Sequence, residues 1–215
     1  MQAFKPRDFI PVTTAIHSIE CASAFKQLTP KEKRYAYHLA KASWEGSKIC
    51  WFQRSYESPA LFVLLKLLFS KQPIASLKPL FSQEASYQQL LAYSAAVFQN
   101  CGNYKAFGDT KFVPELPSQE FKQVLGKSEA HKSHGEILDE LWAAIEKEVY
   151  AEEDPYRILG FRDDNGTTSY YSSNVTSADS KLIDEFCQAH GISPLNTRLF
   201  KLSDNEYELR IASAQ

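Results

Sequence analysis

The sequence predicts an α+β fold, with a mostly helical first two-thirds followed by β-hairpins that begin an incomplete β-barrel-like core. Three observations predict it. Apolar residues recur every three or four positions from about residue 29 to residue 149. Beyond residue 155 the apolar period changes to two. The alternating segments there are separated by turn chemistry, Asn165-Gly166 in one case and Ser203-Asp204-Asn205 in the other. The chain therefore divides into a helical part, 1–155, and a β-rich part, 156–215.

Thr29-Pro30-Lys31-Glu32 reads as a helix start. The threonine can cap, proline suits the first turn, and the glutamate can close a capping box. Tyr35, Leu39 and Ala42 then share a face, and Gly46 is the expected stop. Ser58-Pro59 opens a second helix with Leu61, Leu64, Leu65 and Leu68, ending before Pro73. Ser82 opens a third, in which Tyr87, Leu90, Leu91, Ser94, Val97, Phe98 and Cys101 recur and Gly102 suits the C-terminal position. Ser118 starts a short helix with Phe121, Val124 and Leu125. Ser133-His134-Gly135-Glu136 has the form of another capping box, opening a helix with Leu138, Leu141, Trp142, Ile145 and Val149. Trp44, Trp51 and Trp142 are expected in the core.

In the second part, residues 157–161 and 167–171 flank the Asn-Gly turn as a first hairpin. A helix follows from about Ser177 to His190. A second hairpin pairs residues 197–202 with the alternating Tyr207, Leu209 and Ile211. Its last strand runs to within a few residues of Gln215. A two-stranded ribbon is marginal alone, so the sheet is expected to be incomplete within this sequence.

The 215 residues include 44 % hydrophobic and 13 % aromatic side chains, enough for a packed core and against disorder. The formal net charge of -2 excludes a strong global field toward nucleic acid or an anionic membrane. Cys21, Cys50, Cys101 and Cys187 form no CxxC clip and read as reduced, mostly buried thiols. The N-terminus Met1–Arg7 has no apolar core of the signal-peptide kind, and the apolar run 61–69 is too short to span a bilayer. The expected location is cytoplasmic.

Catalytic signatures do not emerge. The five histidines form neither HExxH nor HExxxH. His131 and His134 could share a helical face, but a cap at Ser133 would leave His131 outside the helix. There is no GxSxG, no SxxK of the lactamase kind, no GxxxxGK and no GxGxxG. Neither catalytic nor metal-binding residues are assigned to this chain.

One segment does not fit the role of an ordinary connector: residues 100–117, NCGNYKAFGDTKFVPELP. It combines Tyr104, Phe107 and Phe112 with glycines and charges. Either all three rings plug the core, or the loop offers a ring to a ligand, and Phe107 is then the ring presented outward. Gly108 permits a backbone that other residues resist. Asp109, between Lys105 and Lys111, is expected to be locally paired.

The stretch GNYKAFGDTKFVPELP closely resembles the corresponding segment of the dipeptidyl peptidase III family, zinc-dependent exopeptidases that remove dipeptides from peptide N-termini. LTPKEKRYAYHLAKASWEG resembles the first long helix of that family, and TTSYYSSNVT and LNTRLFK resemble its first β segments. The resemblance runs in order over nearly the whole chain. It implies a two-lobed enzyme whose zinc is held by an HExxxH helix and a later glutamate, all in the upper lobe and beyond this sequence. Residues 1–215 would be the first part of the lower lobe, supplying scaffold and cleft wall and binding no zinc themselves. Short peptides would be the substrate, and the missing C-terminal part of the same enzyme the structural partner. The resemblance carries a substrate-contacting role to Phe107, and loop-shaping roles to Gly108, Asp109 and Lys111. The alternative is a short non-enzymatic module, derived from that lobe, that binds peptides or another protein through an open β edge.

Overall fold

The computed structural model describes residues 8–15, 17 and 19–211. The expectations for Met1–Arg7 and for the chain after Ile211 lie outside the described residues. Seven α-helices come first in chain order: α1 (Ala22–Gln27), α2 (Pro30–Arg54), α3 (Ser58–Ser70), α4 (Glu84–Asn100), α5 (Ser118–Lys127), α6 (Glu129–Tyr150) and α7 (Ser177–Ala189). Two strands close the described chain, β1 (Thr197–Ser203) and β2 (Glu206–Ile211). The α+β expectation holds, although the sheet is an open antiparallel pair and not a closed barrel.

The predicted capping box starts α2. The Thr29 hydroxyl accepts from the Glu32 amide, and the Glu32 carboxylate accepts from the Thr29 amide at 2.8 Å. Gly46 does not stop this helix, which continues to Arg54. A glycine inside a helix costs roughly 1 kcal/mol relative to alanine. Continuing the helix buries Trp51, whose ring lies 4.5 Å from that of Phe62 on α3. That burial outweighs one glycine. The first half of α2 has no such cover. Tyr35 and Leu39 are exposed, and so is Trp44, at 78 % exposure, contrary to its expected place in the core.

The core forms around α3. Leu61, Leu64, Leu65 and Leu68 are fully buried, and α3 packs against α6 and α2. From α4 come Leu90, Tyr93 and Val97, and from α5 Phe121, Val124 and Leu125. Among the described residues no single helix is long and apolar enough to cross a membrane. The thiols are free but not mostly buried as expected: Cys21 and Cys50 are exposed, Cys101 is half-buried and Cys187 is buried.

The N-terminus of α6 differs from expectation. Ser128 is the cap, its hydroxyl accepting from the His131 amide at 3.2 Å, so His131 lies inside the helix. The predicted start at Ser133 is instead a kink, with His134 at φ -142 and ψ 32. Ser133 cannot cap a new helix because its hydroxyl donates back to the Glu129 and Ala130 carbonyls. Helix α4 starts after Gln83 rather than after Ser82, and the Gln83 side chain makes no capping hydrogen bond.

The expected first hairpin does not form. Leu159 and Thr167 meet in a single parallel bridge, and Arg162–Asp164 make a 3-10 turn. Asn165 takes the left-handed conformation at φ 56. The physical reason lies in two glycines. An Asn-Gly hairpin turn needs positive φ at both residues, and Gly166 does not take it; it lies instead against Gly160, so close that a Cβ on Gly166 would sit 2.7 Å from the Gly160 Cα. The second hairpin forms as expected, with Leu199 opposite Leu209 and Lys201 opposite Tyr207. The outer side of β1 is met by Tyr170–Ser172, through Leu199 N–H to Tyr170 O at 3.0 Å and Ser172 N–H to Leu199 O at 2.8 Å.

Asp179 ties α7 to this hairpin. Its carboxylate completes a capping box with Thr176, accepts from the Tyr207 hydroxyl at 2.5 Å and pairs with Lys201 Nζ at 2.9 Å. The hydrogen bond from the Tyr207 hydroxyl, followed by those from the Thr176 amide and hydroxyl, holds its pKa well below the usual carboxylate range. A depressed carboxyl contributes stability that is present above the ordinary value, near pH 4, and lost as pH falls below it. The expected result is that acidification from pH 6 to pH 3 loosens the hairpin in the wild type and changes D179N much less. D179N itself costs about 1–2 kcal/mol at pH 7. Amide exchange of β1 and β2 at the two pH values checks both.

Candidate functional site

The loop after α4 is built on a rigid stem. Cys101 ends α4 in the left-handed conformation, and Gly102 follows at φ 139. A Cβ on Gly102 would lie 2.4 Å from Ser58 Oγ, so only glycine lets the end of α4 approach the start of α3 this closely. Tyr104 and Lys111 then form an antiparallel bridge. Lys105 N–H donates to Thr110 O at 2.9 Å, and Phe112 N–H donates to Asn103 O at 3.0 Å. Arg54 Nη2 holds the carbonyls of Asn100 and Tyr104, at 2.8 and 3.2 Å.

The rings divide between the two possible roles. Tyr104 and Phe112 are fully buried, and Phe112 lies edge-on to Tyr93. The Tyr104 hydroxyl donates to the Tyr156 carbonyl at 2.8 Å, and burial pushes its pKa far above the usual phenol value. Phe107 is 95 % exposed at the tip. Ala106, just before it, is fixed by its amide donating to Asn100 Oδ1 at 2.9 Å. Gly108 at φ 94 and Asp109 at φ 53 make the turn that carries Phe107 outward. The Asp109 carbonyl accepts from the Leu159 amide at 2.9 Å, which links the tip to the chain beyond α6.

The local pairing expected for Asp109 is not found. Lys105 pairs instead with Asp8 at 2.6 Å, and Lys111 with Glu57 at 3.3 Å. Lys111 is not on the loop surface. Its side chain and that of Glu57 are 3 % and 2 % exposed. Burial lowers the Lys111 pKa, and the Glu57 carboxylate opposes that shift. Sequence reading missed Glu57, Asp8 and Asn100 as supports of this loop. No local pattern marks them, because each acts across a long stretch of chain or through a backbone amide.

Metal chemistry has no seat in the described residues. No three His, Cys, Asp or Glu side chains among them lie close enough to hold an ion. His131 pairs only with Asp139, its Nε2 3.2 Å from the carboxylate. The described residues therefore offer no donor set that fits the zinc the family resemblance implies.

Residues 141–215 match the family model described as Peptidase family M49. The chain is 40 % identical over 212 residues to the dipeptidyl peptidase 3 of Homo sapiens, which covers 95 % of this chain and 29 % of the human protein. It is 39 % identical over 219 residues to that of Nematostella vectensis, covering 97 % and 30 %. With that of Dictyostelium discoideum the figures are 38 % over 206 residues, covering 95 % and 29 %.

The chain is similar to dipeptidyl peptidase 3 over nearly all of its length, and its residues 141–215 to Peptidase family M49.

It spans about 30 % of the length of the curated relatives it matches. The family relationship extends over the helical part as well as the β-rich part, because the three alignments each cover 95 % or more of the chain. The loop with Phe107 therefore lies within the matched region of each.

Proposed function

We propose that this chain is the first part of the lower lobe of a longer, cytoplasmic, zinc-dependent exopeptidase that releases dipeptides from the N-termini of peptides. Residues 1–155 form the helical part of that lobe and 156–215 the start of its β-rich core. The chain supplies scaffold and cleft wall, while the zinc ligands come from elsewhere in the longer polypeptide. Phe107 is the peptide-contacting side chain, and Gly108, Asp109 and Lys111 shape the loop that presents it. The observation that carries this reading is a ring 95 % exposed on a stem whose neighbouring rings are fully buried. An exposed phenylalanine on a fixed support gives apolar area to a peptide backbone without reading its sequence, as a broadly specific peptidase requires.

Two measurements test it. Reading the transcript past codon 215 is expected to show an in-frame continuation encoding HExxxH, and a stop codon there would overturn the reading. In the intact enzyme, F107A is expected to raise KM for peptides about tenfold with little change in kcat. That is the signature of lost binding shared by ground and transition states. An unchanged KM would remove Phe107 from the site.

The open edge of β2 favours a second reading, a non-enzymatic module that adds a partner's strand there. The transcript decides between the two.

A further inference from the structure

We infer that the buried Glu57–Lys111 pair fixes the direction of the Phe107 tip, which makes Lys111 a positioning residue for the peptide contact. The inference rests on the reading of Phe107 given above. It starts from where the ammonium sits. Lys111 Nζ lies 3.3 Å from Glu57 Oε1 at the N-terminal end of α3 and donates to the Glu148 carbonyl near the end of α6. The rings of Tyr104 and Tyr156 flank it, their centroids 5.4 and 5.5 Å away. A carboxylate, a carbonyl and two aromatic faces thus enclose one cation.

Each group in this enclosure belongs to a different segment. Glu57 immediately precedes α3, Glu148 belongs to α6, Tyr156 follows α6, and Tyr104 is the opposite arm of the loop itself. Lys111 therefore ties the returning arm of the loop to two core helices and to its own outgoing arm. The charged support on the outgoing arm is of another kind. The Lys105–Asp8 pair has side chains 39 % and 43 % exposed, where solvent and salt weaken it. A buried pair is a poor source of net stability compared with apolar packing, and its best-attested use is to fix one arrangement among several. Here the arrangement it fixes is the register of a stem whose tip is the exposed ring.

The test separates positioning from plain stabilisation. K111M leaves a buried carboxylate alone and can fail to fold, so E57Q/K111M, which replaces both charges with neutral groups of similar shape, is made beside it. Both are made in the full polypeptide in which this chain occurs. In the double variant, amide exchange at residues 105–110 is expected to rise at least tenfold while the amides of α3 and α6 keep their protection. KM is expected to rise severalfold at constant kcat when Phe107 is present, and not to rise further in an F107A background. Unchanged exchange at 105–110 would overturn the positioning role, and so would an equal rise in KM with and without Phe107. If F107A alone leaves KM unchanged while loop exchange still rises, the peptide reading of Phe107 fails and the positioning of the tip by Lys111 stands.

Discussion

E57Q is expected to lower the free energy of unfolding by roughly 3–5 kcal/mol, because it leaves an ammonium buried without its counter-charge. The two side chains are 2 % and 3 % exposed, so water cannot take over the role of the carboxylate. The groups that otherwise enclose Lys111, a backbone carbonyl and two tyrosine rings, carry no negative charge, and the Glu148 and Glu153 carboxylates act on it more weakly than Glu57 does. Glu57 is also the residue before the first turn of α3, where a carboxylate favours the positive end of the helix dipole. The amide of glutamine supplies neither term. Burial already lowers the Lys111 pKa, and Glu57 is the largest influence opposing it. In E57Q that pKa falls further, and the cost of holding the cation is reduced as pH rises through the new value. The variant is therefore expected to be more deficient at pH 7 than at pH 10. E57Q/K111M should recover most of the loss, since removing both charges removes the desolvation cost with them. Urea unfolding checks this through the midpoint at unchanged slope. A single-variant loss below about 1 kcal/mol would mean that the ammonium finds other compensation.

Much of this architecture was legible because its signals are local. A capping box needs only four consecutive residues, and the one read at Thr29 forms with both reciprocal hydrogen bonds. The apolar spacing of α3 and α5 predicts the faces that are buried. Where two local signals compete, tertiary packing decides. Gly46 signals a helix end, yet the burial of Trp51 beyond it extends α2. Ser133 has the form of a cap, but Ser128 has already capped the helix. The hairpin expected at Asn165-Gly166 fails because only Asn165 takes the positive φ that such a turn needs at both residues, while Gly166 lies against the backbone of Gly160.

The same division runs through the site. Gly108 after Phe107 is a local signal, and the turn it permits does carry that ring outward. Asp109 between two lysines is also a local signal, and it misleads. Both lysines find carboxylates from distant parts of the chain, Asp8 and Glu57. Sequence spacing shows which charges are neighbours in the chain but not which are desolvated together. The exposed tryptophan of α2 makes a related point. Tyr37, Trp44 and Trp51 recur every seven residues along one side, yet only Trp51 has α3 to cover it. Periodicity marks a face that can be buried, and the neighbouring element decides how much of it is.

W142A is expected to cost about 3–5 kcal/mol, the range for removing a large buried ring. Trp142 is 2 % exposed, and its ring centroid lies 4.8 Å from Phe121 on α5 and 6.3 Å from Tyr150 at the end of α6. It therefore joins α5 to α6, and α6 in turn packs on α3. The void left by alanine cannot close easily, because Phe121, Val124 and Ile145 are held by helices fixed elsewhere. W142F separates two contributions. The Trp142 indole N–H is buried and meets no acceptor among the described residues. Phenylalanine keeps the aromatic contact with Phe121 and removes that unpaired donor, so part of its volume loss is offset. The expected order of stability is wild type, then W142F within about 2 kcal/mol, then W142A well below both. Thermal unfolding followed by far-UV circular dichroism measures it. A W142F loss as large as that of W142A would place the energy in the indole itself, and would mean that its N–H has an acceptor after all.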